Sequence, residues 1–310
     1  MNKVQNSSDA LSTTIDLVCL SFIAVLFALT IIFAHKVPDW QELSIQFLRA
    51  GVVYVAVVWL ARRLSKGWLL MVVYTAAVLG LFAFLFKAVA GLQHIVVDGW
   101  MDDVLISMDY SLIGKESSVA LQRVVLLTEW MMFAYVIYFP LWPFIALICY
   151  WSGGTCAAND YLLNVSLANV VCFLGFIIFP VASPLYHAPH LYTVPLEGGF
   201  FTWCGEWIRH NQHYAGGSLP SPHCADGSIM LAMLYRYNRN LFYLSLPVFL
   251  TLYVSTVYGR YHYAWDGIAG IISAIVVLKL SSQLVSAMDA VRTRLRSLFV
   301  TRNVAEPVSE

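Results

Sequence analysis

Two histidines and an aspartate in this chain stand among neighbours suited to phosphorus chemistry. The stretch GRYHYAWDG, residues 259–267, carries Arg260, His262 and Asp266 between two apolar runs. His262 and Asp266 are spaced i,i+4, which on a helix puts two side chains on one face about one turn apart. A carboxylate there takes the Nδ1–H of the imidazole, fixes its tautomer and leaves Nε2 free to attack. Arg260 offers a forked donor to phosphate oxygens. A second stretch, GSLPSPHCADGS at 217–228, carries His223. Pro220 and Pro222 fix the approach to a helix that begins near Cys224. His223 then lies at a helix N-terminus, where unpaired N–H groups favour an anion. It is the candidate to protonate a leaving oxygen. Nucleophile, orienter, acid and cationic clamp together suit phosphoryl transfer through a phosphohistidine. Taken singly, His262 with Asp266 also reads as a structural pair locking two helices, and His223 as a loop residue at a helix end.

Whether the two histidines meet depends on the elements that carry them. The chain has 310 residues, 60% hydrophobic and 12% charged, with a mean hydropathy of +0.71. A soluble domain is about a quarter charged, so the composition predicts an all-α, polytopic integral membrane bundle. Ten tryptophans and 17 tyrosines fit rings at headgroup depth. The 18 basic and 18 acidic residues balance, which argues against the basic stripe of a nucleic-acid binder. Apolar runs at about 16–35, 44–61, 68–92, 121–149, 161–182, 224–237, 241–258 and 264–285 predict eight transmembrane helices. The first is read as a retained span, since the opening MNKVQNSSDALSTT has no cleavage-site pattern.

Charge sets the orientation. With a cytoplasmic N-terminus, the inner loops hold Arg62, Arg63 and Lys66, then WSGGTCAAND, then Arg236 and Arg239, and the basic tail at 291–310 is also inside. His223 and His262, 39 residues apart, then share one membrane level on the periplasmic, exterior or lumenal side. Residues 1–160 are read as N-terminal helices, with an acid-bearing segment at 95–118 that serves as an interfacial flap, a strut or a subunit contact. Residues 161–290 form the helical core that carries the chemistry.

Pro220, Ser221, Pro222 and His223, followed by HYAWD with His262 and Asp266, resemble the second and third motifs of the PAP2 superfamily of phosphatidic acid phosphatase-type enzymes. The motif style is similar to the inositol phosphorylceramide synthase branch. The resemblance covers roughly 180–285 and implies a PAP2-like core in the C-terminal half. It implies His262 as nucleophile, His223 as general acid and Asp266 as orienter. It also implies a lipid phosphate, prenyl pyrophosphate or phospholipid substrate, and neither metal nor cofactor. Two features depart from the pattern. Thr256 stands where the third motif has arginine, and the first motif, lysine seven residues before Arg-Pro, is absent. Arg260, Arg209 in GEWIRHNQH and Ser221 are the candidate phosphate ligands. Transfer of a head group to a lipid or polyol hydroxyl is favoured over hydrolysis, and a transporter or scaffold that keeps the cavity for binding is the reading from another class.

Other residues carry blander expectations. His187 with His190, and His210 with His213, have HxxH spacing but no strong metal signature. Cys204 and Cys224 fall on one side, where a disulfide is permitted, or remain buried thiols. Asp226 reads as a first-turn acid stabilised by the helix end. Asn159, Asp160, Asn164 and Asn169 read as packing or span-edge residues. Glu129, inside an apolar run, is an ionisable group at membrane depth facing a pathway or an interface.

Overall fold

The computed structural model describes residues 2–64, 66–114, 125–192 and 195–304, with side chains described except at 2–7, 64, 113 and 292–304. The basic side chains of the tail from Arg292 onward, and residues 115–118 of the acidic segment, lie outside the described residues. The described chain is helical throughout: α1 (Asn2–Ile32), α2 (Trp40–Leu64), α3 (Gly67–Ala88), α4 (Asp102–Ile113), α5 (Val125–Ile178), α6 (Phe200–Gln212), α7 (Pro222–Tyr237), α8 (Arg239–Tyr258) and α9 (Ala264–Val304). Six of these, α1, α2, α3, α5, α8 and α9, are long and apolar enough to cross a membrane. The chain is a polytopic helical membrane protein.

The expected eight crossings are not reproduced as eight separate helices. The polar stretch 150–160, expected as a loop, is helical on both sides of a single break at Gly154, whose φ of 69° and ψ of −167° leave the helical region. The break folds α5 into a hairpin. Tyr161 donates 2.6 Å to the carbonyl of Trp142, 19 residues earlier, where a straight helix would hold the two about 28 Å apart. The sixth expected crossing, α7, has only 16 residues, short of the roughly 20 that cross a bilayer unaided. It sits against α5, α8 and α9, so protein rather than lipid surrounds its polar residues.

The bundle has two distinguishable ends. At one, Arg62 meets Asp16 at 2.6 Å and Arg236 meets Asp160 at 2.5 Å. There Asn238 also donates to Ser152 at 3.3 Å, joining the two turns. At the other, Lys36 pairs with Asp98 at 3.3 Å. The end of α3 is tied to the chain before α7 by Lys87 Nζ on the Asn211 carbonyl at 3.0 Å and Tyr214 Oη on the Phe86 carbonyl at 2.7 Å. Buried Phe22, Phe82 and Phe173 pack between α1, α3 and α5.

α4 is a strut. Its Asp102 carboxylate, fully buried, accepts from the Ala182 N–H at 2.8 Å, the Ser183 N–H at 3.1 Å and Tyr263 Oη at 2.9 Å. One helical face further on, Asp109 accepts from the Ala264 N–H at 3.4 Å. Burial raises the Asp102 carboxyl above its ordinary value, and the Ala182 N–H and Tyr263 hydroxyl oppose that rise. The segment thus clamps the entry of α9, next to His262.

Candidate active site

His262 and His223 meet. Their ring centroids are 5.7 Å apart with planes at 64°, at the end of the bundle opposite Arg62 and Arg236. The approach is set by glycine. Gly270 on α9 lies so close to the start of α7 that a Cβ there would run into the Ser221 carbonyl. Gly175 on α5 leaves room in the same way for the Pro220 ring.

His262 is not on a helix, contrary to the expectation from its i,i+4 spacing. α9 begins at Ala264, and His262 ends a loop whose Tyr261 and His262 N–H groups both return to the Thr256 carbonyl, at 3.0 and 3.1 Å. Asp266 sits in the first helical turn and reaches back to the Tyr263 N–H at 3.0 Å, one half of a capping box. That reach also brings Oδ2 to His262 Nδ1 at 3.3 Å. The pair is therefore made by a helix cap. Thr256, in the place of the missing arginine, is fully buried and donates to the Tyr253 carbonyl, so it is a packing residue.

Ser218, which the motifs do not include, completes the pair. Its hydroxyl donates to Asp266 Oδ2 at 2.5 Å and lies 3.1 Å from His262 Nδ1. With its proton on Asp266, Ser218 accepts from Nδ1–H, and Nε2 of His262 carries the free lone pair. Ser218→Ala should lower kcat about tenfold with KM unchanged, because it loosens one of two anchors of the imidazole. Steady-state kinetics with a soluble lipid phosphate read this.

His223 has different surroundings. Tyr135, Tyr138 and Phe139 of α5, spaced i, i+3, i+4, form three aromatic walls with centroids 5.1, 4.7 and 5.9 Å from its ring. The ring is 8% exposed. Neither of its nitrogens has a hydrogen-bond partner among the described residues. A buried imidazole with no protein partner bears an uncompensated desolvation cost, which a polar group brought to it would relieve. Tyr138 also donates to Asp226 at 3.0 Å, and Asn169 donates to the same carboxylate at 3.0 Å. Asp226 is thus no helix-end acid. It is a buried acceptor tying α7 to both legs of α5.

The basic candidates form one charged cluster beside the site. Arg260, 6% exposed and in the left-handed region at φ 67°, lies over the Tyr192 ring at 4.7 Å. Burial pulls its guanidinium below the usual value, with Arg209 adding to the fall and Glu206 opposing it. Arg209 pairs with Glu206 at 2.5 Å, and that hydrogen bond raises its own value. Ser221 is placed elsewhere: its oxygen accepts from the Cys224 N–H at 3.4 Å and caps α7. It is fully buried.

The other histidines and cysteines separate. His187 meets Asp103 at 3.0 Å, His210 touches Arg209 at 3.0 Å, and His213 accepts from or donates to Tyr135 Oη at 2.7 Å. Among the described residues no three His, Cys, Asp or Glu side chains gather as a metal site. Cys204 and Cys224 are free thiols; Cys224 faces Thr256 Oγ1 at 3.9 Å. Glu129, expected to face a pathway or an interface, reaches across to another helix. Its carboxylate takes the N–H groups of Gly199 at 2.6 Å, Phe201 at 3.1 Å and Thr202 at 2.8 Å, and so caps α6 from another helix.

His213 belongs to the site wall, stacked on Tyr261 at 4.9 Å. Burial, with the charges of His262 and Arg209, holds its pKa down to about 3. The unfolded chain takes up a proton near 6.5, so between these values the unfolded state binds more protons and stability falls as pH falls. His213→Gln should flatten that fall. The thermal midpoint of the wild type should drop by several degrees more than the variant's between pH 6.5 and 4.

The arrangement offers a free imidazole lone pair, a second imidazole beside it and two guanidiniums nearby, a set able to bind and transfer a phosphoryl group. No curated protein matches the chain, and no solved structure does. A family model described as the PAP2 superfamily matches residues 104–280, taking in most of α4 and the α5 hairpin upstream of PSPH as well as both histidines. Membership in that family implies a lipid phosphatase or phosphotransferase acting on a lipid phosphate. With more than half of its length matched and both motif histidines side by side, the chain belongs to the PAP2 superfamily.

Proposed function

We propose that the protein is a lipid head-group phosphotransferase working through a phosphohistidine at the non-cytoplasmic face. The observation that carries the reading is the buried His223 ring, with both nitrogens unpartnered, 5.7 Å from His262. Nε2 of His262 attacks phosphorus and the bond to the leaving oxygen breaks. His223, in its imidazolium form while the phosphate is bound, gives that oxygen its proton and is left neutral. An acceptor hydroxyl then attacks phosphorus, the N–P bond breaks, and the acceptor's proton passes to His223, which restores both imidazoles. Asp266 and Ser218 hold the tautomer, and Asp266 stabilises the charge that develops on His262. Arg260 and Arg209 hold the phosphate oxygens.

Two features favour transfer over hydrolysis. Thr256 replaces the arginine of the usual third motif, and the motif style resembles that of the inositol phosphorylceramide synthase branch. The short arginine clusters at the far end of the bundle support a cytoplasmic N-terminus, with the site periplasmic, exterior or lumenal. Eight crossings follow if both legs of α5 and the sheltered α7 are counted. Purified protein with short-chain phosphatidic acid, a prenyl pyrophosphate or phosphatidylinositol tests the reading. A new phosphodiester that appears only with an acceptor lipid is the expected result. Phosphate release without any acceptor would make the enzyme a phosphatase, and saturable transport in vesicles without turnover would make it neither.

A further inference from the structure

α2 carries a cation at a depth where a bilayer tolerates few. Its membrane-crossing stretch Trp40–Arg63 has 24 residues, about 36 Å against a hydrocarbon layer of about 30 Å. Arg49 is nine residues from the start of α2 (49 − 40 = 9), which places its Cα about 10 Å inside that layer. The side chain is exposed, and among the described residues it makes no ion pair or hydrogen bond. Glu42, the nearest acid on the same helix, is engaged by Gln46 at 3.4 Å. Helical side chains lean toward their own N-terminus, and α2 begins at the active-site end of the bundle. Arg49 therefore reaches toward that surface.

Arg49 lines one end of a groove of about 820 Å³ between α2 and α3. The walls below it are Ala50, Val53 and Val57 of α2 with Val73, Ala76 and Gly80 of α3. From Gln46 to Val57 the groove follows α2 for about 16 Å, close to the depth of one leaflet. A Cβ on Gly80 would meet nothing within 4 Å, so the space is open rather than closed by a neighbouring side chain. A cation at headgroup reach above a narrow apolar slot of one-leaflet depth is complementary to one kind of molecule.

We propose that this groove binds an anionic phospholipid of the leaflet on the active-site side, its phosphate on Arg49 and one acyl chain along the slot. The site lies outside the matched residues 104–280 and is independent of the catalytic reading. The occupant is a lipid and not free phosphate, because a single exposed guanidinium holds an anion weakly and the apolar slot supplies the remaining affinity.

Wild-type protein, Arg49→Leu and Gly80→Leu in mild detergent are compared by native mass spectrometry with phosphatidylglycerol, phosphatidylcholine or inorganic phosphate added. The wild type should retain one phosphatidylglycerol per chain, about tenfold more tightly than phosphatidylcholine, and no inorganic phosphate. Arg49→Leu should erase the preference between lipids. Gly80→Leu puts a side chain into the slot from a Cβ position that meets nothing within 4 Å and should reduce retention of both. Monodispersity, and turnover equal to wild type where the wild type turns over, show that the variants are folded. Absence of turnover in all three would defeat the catalytic reading and leave the lipid result to stand or fall by itself. Equal retention of the two lipids by the wild type, or unchanged phosphatidylglycerol retention in either variant, would overturn the proposal. So would a protein dimer that Gly80→Leu converts to monomer, since the groove would then hold a second chain.

Discussion

His262→Gln should leave a folded, monodisperse protein and reduce turnover of a lipid phosphate by at least about 10⁴-fold. Glutamine keeps a polar end able to meet Ser218 and Asp266, the two groups that hold Nδ1 at 3.1 and 3.3 Å. The buried Asp266 is therefore not left alone, and the thermal midpoint should stay within a few degrees of wild type. What the variant lacks is the lone pair of Nε2, for which no neighbouring group substitutes. Residual activity within tenfold of wild type would show that His262 only packs, and an unfolded variant would return the pair to a structural role.

His223→Gln should cost about 10²–10⁴-fold with an alkyl leaving group. The cost should shrink to less than about tenfold with p-nitrophenyl phosphate, whose leaving oxygen needs no proton. This dependence separates an acid from a mere wall of the pocket, since a packing defect would slow both substrates alike. The aromatic box of Tyr135, Tyr138 and Phe139 makes no hydrogen bond to the ring, so glutamine breaks none. Equal losses with the two substrates would remove His223 from the proton-transfer step.

The sequence made the core of the site legible because two kinds of signal agreed. Apolar runs lead to an expected crossing order that returns His223 and His262 to one level, and their rings lie 5.7 Å apart. What the runs could not show is where the chain turns inside a helical stretch. The turn falls in WSGGTCAAND, where a loop was expected, but it is made at Gly154 alone, with helix on both sides. The His262–Asp266 contact was legible as a pair and misread as a helix face, since i,i+4 also describes a residue before a helix and an acid in its first turn. Ser218 was invisible because a serine near two prolines is common, and only the fold brings it within 2.5 Å of Asp266 across 48 positions. Asp102 touches Tyr263 from 161 positions away, and Glu129 caps a helix about 70 positions downstream. Such long-range hydrogen bonds leave no local pattern, so acids in apolar surroundings drew attention without revealing their donors.

The central claim is that phosphorus is carried on one imidazole. Purified protein is mixed with ³²P-labelled short-chain phosphatidic acid for milliseconds, quenched in alkali and digested, and the phosphopeptides are mapped. Label that survives alkali, is released by mild acid, maps to the peptide containing His262 and is absent from His262→Gln is the predicted result. Turnover in the wild type with no label at any quench time, or label of the same lability on His262→Gln, would contradict it.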